Sequence, residues 1–223
     1  MRNKIFILAL IVIVAFIIFY AANFFISRQA INNIKAIEIK DYQGEKLDSV
    51  SAFRENSIKG PQTVDLATYQ LKISGLVDNP LNLTYDQVLA DKEKIKKVVQ
   101  LDCVEGWSAK VLWEGIALRD LLTEASVKDT AKTVIFRAVD GYSTSFPLDY
   151  IINNNIIIAD KVNGAVLAPE LGFPFILVAE SKWGYKWIRW LSEIELSADI
   201  NYQGYWESRG YSDFGNLNEN FLK

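Results

Sequence analysis

Between Ile5 and Ile26 the chain carries no Asp, Glu, Lys or Arg, and from Ile5 to Ala22 the run is aliphatic and aromatic throughout. As a helix this run would rise about 33 Å, enough for a hydrocarbon core of roughly 30 Å, so it predicts one N-terminal transmembrane helix. A cleaved leader is the competing reading. It fits less well, because the run is longer than a leader's apolar core and the small pair Ala21-Ala22 is followed by Asn23-Phe24-Phe25. Arg2 and Lys4 precede the run and Arg28 and Lys35 follow it; with the terminal amine, this balance narrowly favours a single-pass membrane protein whose remainder lies on the extracytoplasmic side. The predicted layout is an anchor over residues 1–26, a stalk over 27–61, a folded domain over 62–212 and a tail over 213–223.

The 223 residues include no histidine and one cysteine, Cys103. Lack of histidine excludes Ser-His-Asp and Cys-His nucleophilic machinery, His-ligated zinc or non-haem iron, and His-ligated haem. One cysteine excludes an internal disulfide framework, a four-cysteine zinc site and an all-protein iron–sulfur cluster. Any metal must therefore arrive mostly ligated by something else. With 24 Lys+Arg against 27 Asp+Glu, a formal charge of −3 and no Lys/Arg runs interleaved with aromatics, nucleic acid is not a partner.

Beyond the stalk the patterns are mixed. Tyr69 to Gly75 alternates like a half-buried strand, and Asp78-Asn79-Pro80 supplies a turn. Thr84 with Gln87 three residues on reads as a capping box opening a short helix, and the charged run from Asp91 to Lys97 reads as a solvated helix end or loop. Val134–Val139 and Tyr142–Phe146 flank Asp140-Gly141 as a hairpin, with Pro147 in the first turn of a helix reaching Ile152. Ile156–Ala159, Phe175–Ala179 and Leu191–Leu196 are further strands. Strands outnumber short helices and no regular βαβ alternation occurs, which predicts an α+β fold. No glycine pattern for cradling a nucleotide is present.

Two segments concentrate polar and aromatic groups. In the first, Cys103 is bracketed by Asp102 and Glu105 and followed by Gly106-Trp107-Ser108. Most lone cysteines are small buried hydrophobes. Here, however, two carboxylates would raise the thiol's pKa, an arrangement that makes sense if a bound soft or redox-active metal compensates the charge. In the second, Lys186 and Arg189 lie among Trp183, Tyr185, Trp187 and Trp190 next to Gly184, where they could hold a phosphate or another anionic cofactor group. The aromatics could equally be core and rim.

At these residues the sequence resembles the sulfite-oxidase-fold family of molybdopterin-dependent oxidoreductases, and in particular its small single-domain members. The likeness runs from about Tyr69 to Ser212. It rests on Cys103-Val-Glu-Gly-Trp-Ser108 with Trp113, Gly115 and Leu118–Leu122 behind it, on Gly172-Phe-Pro174 through Gly184-Tyr-Lys-Trp-Ile-Arg-Trp190, and on Tyr205-Trp-Glu207 with Arg209-Gly-Tyr211. The resemblance implies a sulfite-oxidase-type mixed β-sheet domain with short helices. It implies a molybdopterin cofactor whose molybdenum takes Cys103 as its one protein ligand, and oxygen-atom transfer as the reaction. Glu105 and Tyr142 would line the substrate side with Cys103; Lys186, Trp187 and Arg189 would contact the pterin or its phosphate, and Asn56 would cover it.

The substrate would be a small molecule of the sulfite, sulfoxide or N-oxide class, and an external electron-transfer partner would be required. A sulfite site needs clustered positive charge, for which Arg137, Lys110 and Arg209 are the candidates. Two positions depart from the family pattern: Leu171 stands where His or Asn is usual, and Ile176 where an arginine usually meets the cofactor phosphate. The alternative is a cofactor-free descendant of the same fold, acting as a membrane-tethered binding or assembly module.

Overall fold

The computed structural model describes residues 12–14, 16 and 29–223. Residues 29–37 are helical, and a short hairpin of β1 (Asp41–Tyr42) and β2 (Glu45–Lys46) follows. The chain then builds β3 (Leu71–Gly75), β4 (Leu81–Leu83), β5 (Ile95–Asp102), β6 (Ser108–Ala117), β7 (Thr133–Ala138) and β8 (Ser143–Pro147). It ends with β9 (Ile157–Val162), β10 (Ala165–Val166), β11 (Ile176–Val178) and β12 (Leu191–Ser197). Helices Tyr85–Leu89, Leu118–Glu124 and Leu148–Asn153 punctuate the strands.

Ten of these strands form two five-stranded sheets. One runs β10-β9-β6-β5 with β11 also paired to β9, all antiparallel; the other runs β4-β3-β12-β7-β8, antiparallel except for the parallel β12/β3 pair. The predicted α+β class holds, with mixed sheets and short helices. The core holds Trp113, Phe136 and Phe146 fully buried. It extends into the N-terminal segment, where Ile34 and Val50 are buried and the Glu38 carboxylate accepts from Val50 N at 2.8 Å.

A hairpin forms around Asp140-Gly141 between β7 and β8, with Val134 opposite Phe146. Ala138 N donates to Tyr142 O at 2.9 Å, so Val139 joins Asp140 and Gly141 in the loop and the register is one residue off that of a two-residue turn. Pro147 proves to be the last residue of β8, where a missing N–H is tolerated, and the N-cap of the next helix. The charged run reading as a loop is corrected in part: Ile95–Lys97 opens β5, the partner of β6 along its whole length. Lys96 and Lys97 stay at the surface by pairing with Glu114 (3.2 Å) and Glu180 (2.9 Å).

The capping box at Thr84 is formed both ways, Gln87 N donating to Thr84 Oγ1 at 3.3 Å and Thr84 N to Gln87 Oε1 at 2.9 Å. Thr84→Ala is expected to cost about 1 kcal/mol in a urea unfolding experiment, since it removes the side-chain acceptor of the Gln87 amide from a helix too short to form alone. A midpoint unchanged from wild type would show that the cap contributes nothing.

The single-pass anchor is corrected. Among the described residues no helix is long and apolar enough to cross a membrane. A span needs about 20 helical residues, whereas Leu118–Glu124, for example, has 7. The run Ile5–Ile26 that motivated the anchor lies outside the described residues, except for 12–14 and 16. The membrane as partner and the extracytoplasmic placement rested on that run and are not carried forward.

Candidate active site

β5 ends at Asp102, and the chain reverses into β6 through a tight loop closed by Cys103 N donating to Trp107 O (2.9 Å) and Gly106 N to Cys103 O (3.0 Å). Gly106 has φ +83°, a conformation in which a side chain is strained, so the glycine is what lets the loop turn this sharply. The loop holds Cys103 on the wall of a cavity of about 560 Å³, within the range of small-molecule sites. Cys103 is only 5% exposed and packs with the core, so the bland and the chemical readings of this thiol meet in one residue.

The sulfur has two polar neighbours. Asn56 Nδ2 donates to Sγ at 3.4 Å, and the thiol faces Glu105 Oε2 at 3.9 Å, an oxygen that also accepts from Trp107 Nε1 at 3.0 Å. Burial pushes the Cys103 thiol up and the Glu105 carboxylate adds to this, while the Glu105 amide and Asn56 oppose it. Alone, this sulfur is a poor thiolate.

The second block arrives from the far end of the chain. Trp183 bridges to Asp102, and a Cβ on Gly184 would stand 3.2 Å from Asp102 O and 3.4 Å from Cys103 Cα, so the turn Gly184–Lys186 lies directly against the cysteine loop. Trp187 is buried beside Trp113, ring centres 5.6 Å apart, and also lines the cavity. Arg189 spans the wall: Nη1 donates to Glu55 Oε2 (2.9 Å) and Glu170 O (3.1 Å), and Nη2 to Asn56 Oδ1 (3.1 Å). Its guanidinium also lies 4.7 Å over the Trp190 ring.

The fold thus gathers Cys103, Glu105, Tyr142, Asn56, Trp187 and Arg189 around one cavity. Tyr142 points its hydroxyl at Tyr185 O and donates to it; burial holds the phenol well above its usual range. Lys186 is not among them. Its ammonium is turned inward to Glu207 Oε1 (2.6 Å), Ser145 O (2.8 Å) and Asp213 O (2.9 Å), with no exposed surface. Leu171 and Ile176 do line the cavity, so the two departures from the family pattern fall on the wall itself.

The cations proposed for an oxyanion do not converge: Arg137 pairs with Glu195, Lys110 with Glu45, and Arg209 Nη1 donates to Tyr205 O. The cationic side chains on the cavity wall are Arg54 and Arg189. Glu55 escaped sequence reasoning, although it sits between Arg54 and Asn56 and reaches Arg189 across 134 positions. Among the described residues, no group of three or more His, Cys, Asp or Glu could hold a metal ion.

A family model for the oxidoreductase molybdopterin binding domain matches residues 58–206, which include both blocks. The chain belongs to this family. Among its relatives is the uncharacterized oxidoreductase YuiH of Bacillus subtilis, 34% identical over 152 residues that cover 68% of this chain and 76% of that protein. Another is the putative protein-methionine-sulfoxide reductase subunit YedZ1 of Azospira oryzae, 32% identical over 68% of this chain and 57% of its own length. The sulfane dehydrogenase SoxCD of Paracoccus pantotrophus shares the fold, with a TM-score of 0.60 at 23% identity over 74% of this chain and 46% of that one.

Proposed function

We propose that the chain is a molybdopterin-dependent oxidoreductase that performs oxygen-atom transfer, with Cys103 as the protein ligand of molybdenum. The observation that carries this reading is a cysteine sulfur on the wall of a cavity of about 560 Å³, at the contact between the two family blocks. The donor set fits such a group. A buried thiol beside a carboxylate is stabilised as thiolate only when a cation sits at the sulfur. Arg189 and Arg54 offer charge for a phosphate, and Gly184 leaves the backbone bare beside the cysteine loop.

Bound there, the cofactor supplies a two-electron redox change coupled to oxygen-atom transfer, and the chain supplies orientation and electrostatics. Asn56 would cap the sulfur, Trp187 and Arg189 would hold the organic part, and Glu105 and Tyr142 would border the substrate. Small molecules of the sulfite, sulfoxide or N-oxide class fit the family. An aromatic wall that includes Trp107, Tyr142 and Trp206, with the Glu105 carboxylate near the sulfur, supports a neutral member of that group over an oxyanion.

A second reading, a cofactor-free binding or assembly module of the same fold, is favoured by specific observations. Ile176 and Leu171 present apolar surface where polar cofactor contacts are usual, Lys186 faces away from the cavity, and Arg189 is already paired with Glu55. No protein cluster among the described residues offers a metal site of its own.

Elemental analysis of the full chain, purified from a host that makes the cofactor, separates the two. Near-stoichiometric molybdenum, lost in Cys103→Ser with an unchanged circular dichroism spectrum, is the result expected for the enzyme. Folded wild-type protein free of molybdenum would overturn it and leave the binding module, for which Cys103→Ala should leave thermal stability unchanged.

A further inference from the structure

The segment from Phe53 to Ile58 lies over the cavity and contributes to its wall. Its attachment on that side is ionic. Glu55 divides its carboxylate, Oε1 accepting from Ser57 N at 2.7 Å and from the Ser57 hydroxyl, and Oε2 from Arg189 Nη1 at 2.9 Å. The next residue, Asn56, accepts from Arg189 with its oxygen and donates to Cys103 Sγ with its nitrogen. One guanidinium therefore anchors a strap that runs over the sulfur.

Arg189 is the more buried partner, its side chain 18% exposed against 32% for Glu55. Its guanidinium is fixed by the Glu170 carbonyl and by the Trp190 face, whereas Glu55 belongs to a short covering segment. A second carboxylate, Glu170, borders the same cavity; burial and the nearby Glu55 push its pKa up.

We infer that Glu55 is an intramolecular stand-in for an anion: it occupies at Arg189 the position that the phosphate of an incoming ligand would take, so that loading the cavity breaks this ion pair and releases the Glu55 carboxylate, while Phe53 stays packed against Trp107 and Trp113 and Asn56 stays over the sulfur. The identity of that ligand as a phosphate-bearing pterin rests on the function proposed above. The competition between Glu55 and an oxyanion does not. Exchange of one anionic oxygen acceptor set for another at Nη1 of the same guanidinium needs no other residue to move far, and it leaves Nη2 to orient the Asn56 amide.

The test uses the full chain produced in a host unable to make the cofactor, with inorganic phosphate as the probe. Calorimetric titration should show Glu55→Gln binding phosphate about five-fold more tightly than wild type, the size that one partly exposed ion pair supplies. Glu55→Asp should stay near wild type and Arg189→Gln should lose the binding. Hydrogen exchange needs no variant: phosphate should speed exchange at the Ser57 amide of the wild-type chain, because the Glu55 carboxylate that accepts from it through Oε1 loses the Arg189 contact that holds it through Oε2.

Equal affinities for wild type and Glu55→Gln, or no change in exchange at the Ser57 amide, would overturn the inference. Molybdenum analysis reads the proposed function separately. A metal-free wild type with the phosphate behaviour intact sinks that function and supports the role of Glu55, whereas metal-loaded protein with an inert Glu55 does the reverse.

Discussion

Lys186→Met is expected to destabilise the fold by about 3–5 kcal/mol, the cost of leaving a buried charge without its partner. The Lys186 ammonium and the Glu207 carboxylate are both without exposed side-chain surface and 2.6 Å apart. Burial pushes the lysine pKa down and Glu207 opposes it, so the pair persists because each ion is the other's counter-charge. Two carbonyls complete the ammonium's shell, Ser145 O in the middle of β8 and Asp213 O near the C-terminus, and the Thr144 hydroxyl donates to the same Glu207 oxygen. The other carboxylate oxygen, Oε2, has no hydrogen-bond partner among the described residues, so the site has no reserve to satisfy Glu207 once the lysine is gone.

The double variant Lys186→Met with Glu207→Leu should recover a large part of the loss, because an apolar pair needs no desolvation. Urea unfolding of the two variants beside wild type makes the comparison. A single-variant cost below about 1 kcal/mol would place the pair among weak surface bridges and contradict its burial.

Gly115→Ala should cost about 3 kcal/mol or prevent folding, at the upper end of what overpacking does, because the obstruction is backbone and cannot rotate away. A Cβ at Gly115 would fall on the Ile158 carbonyl oxygen and lie 2.6 Å from Ala159 Cα. The glycine stands at the register shift between β6 and β9, where Glu114 faces Lys161 but Gly115 faces Ala159. Moving β9 away would disturb its pairings with β10 and β11 as well. Soluble yield and a thermal melt read the effect; a variant melting with wild type would mean that the two strands can separate at little cost.

Much of the local structure could be read from residues close in sequence. The Asp140-Gly141 turn, the Thr84 capping box and the strands around Ile73, Leu177 and Ile194 declare themselves through turn chemistry, caps and alternation over a few positions. The same holds for the two blocks around Cys103 and Lys186, whose residue types and order are a property of the chain alone. β5 was harder, because Lys96 and Lys97 make its start look solvated until Glu114 and Glu180 are brought beside them.

What the sequence by itself determined is the chemical inventory: no histidine, one cysteine, an α+β pattern and two polar aromatic blocks that together exclude most protein-only catalysis. Tertiary structure alone decided which groups face each other. It turned Lys186 into a cage with Glu207, set Arg189 against Glu55 across 134 positions, and put Ile176 on the cavity wall. The reason is physical: caps and turns are satisfied within a few residues, whereas a buried charge is stabilised only by the partner that packing brings to it, and that partner is set by the whole fold.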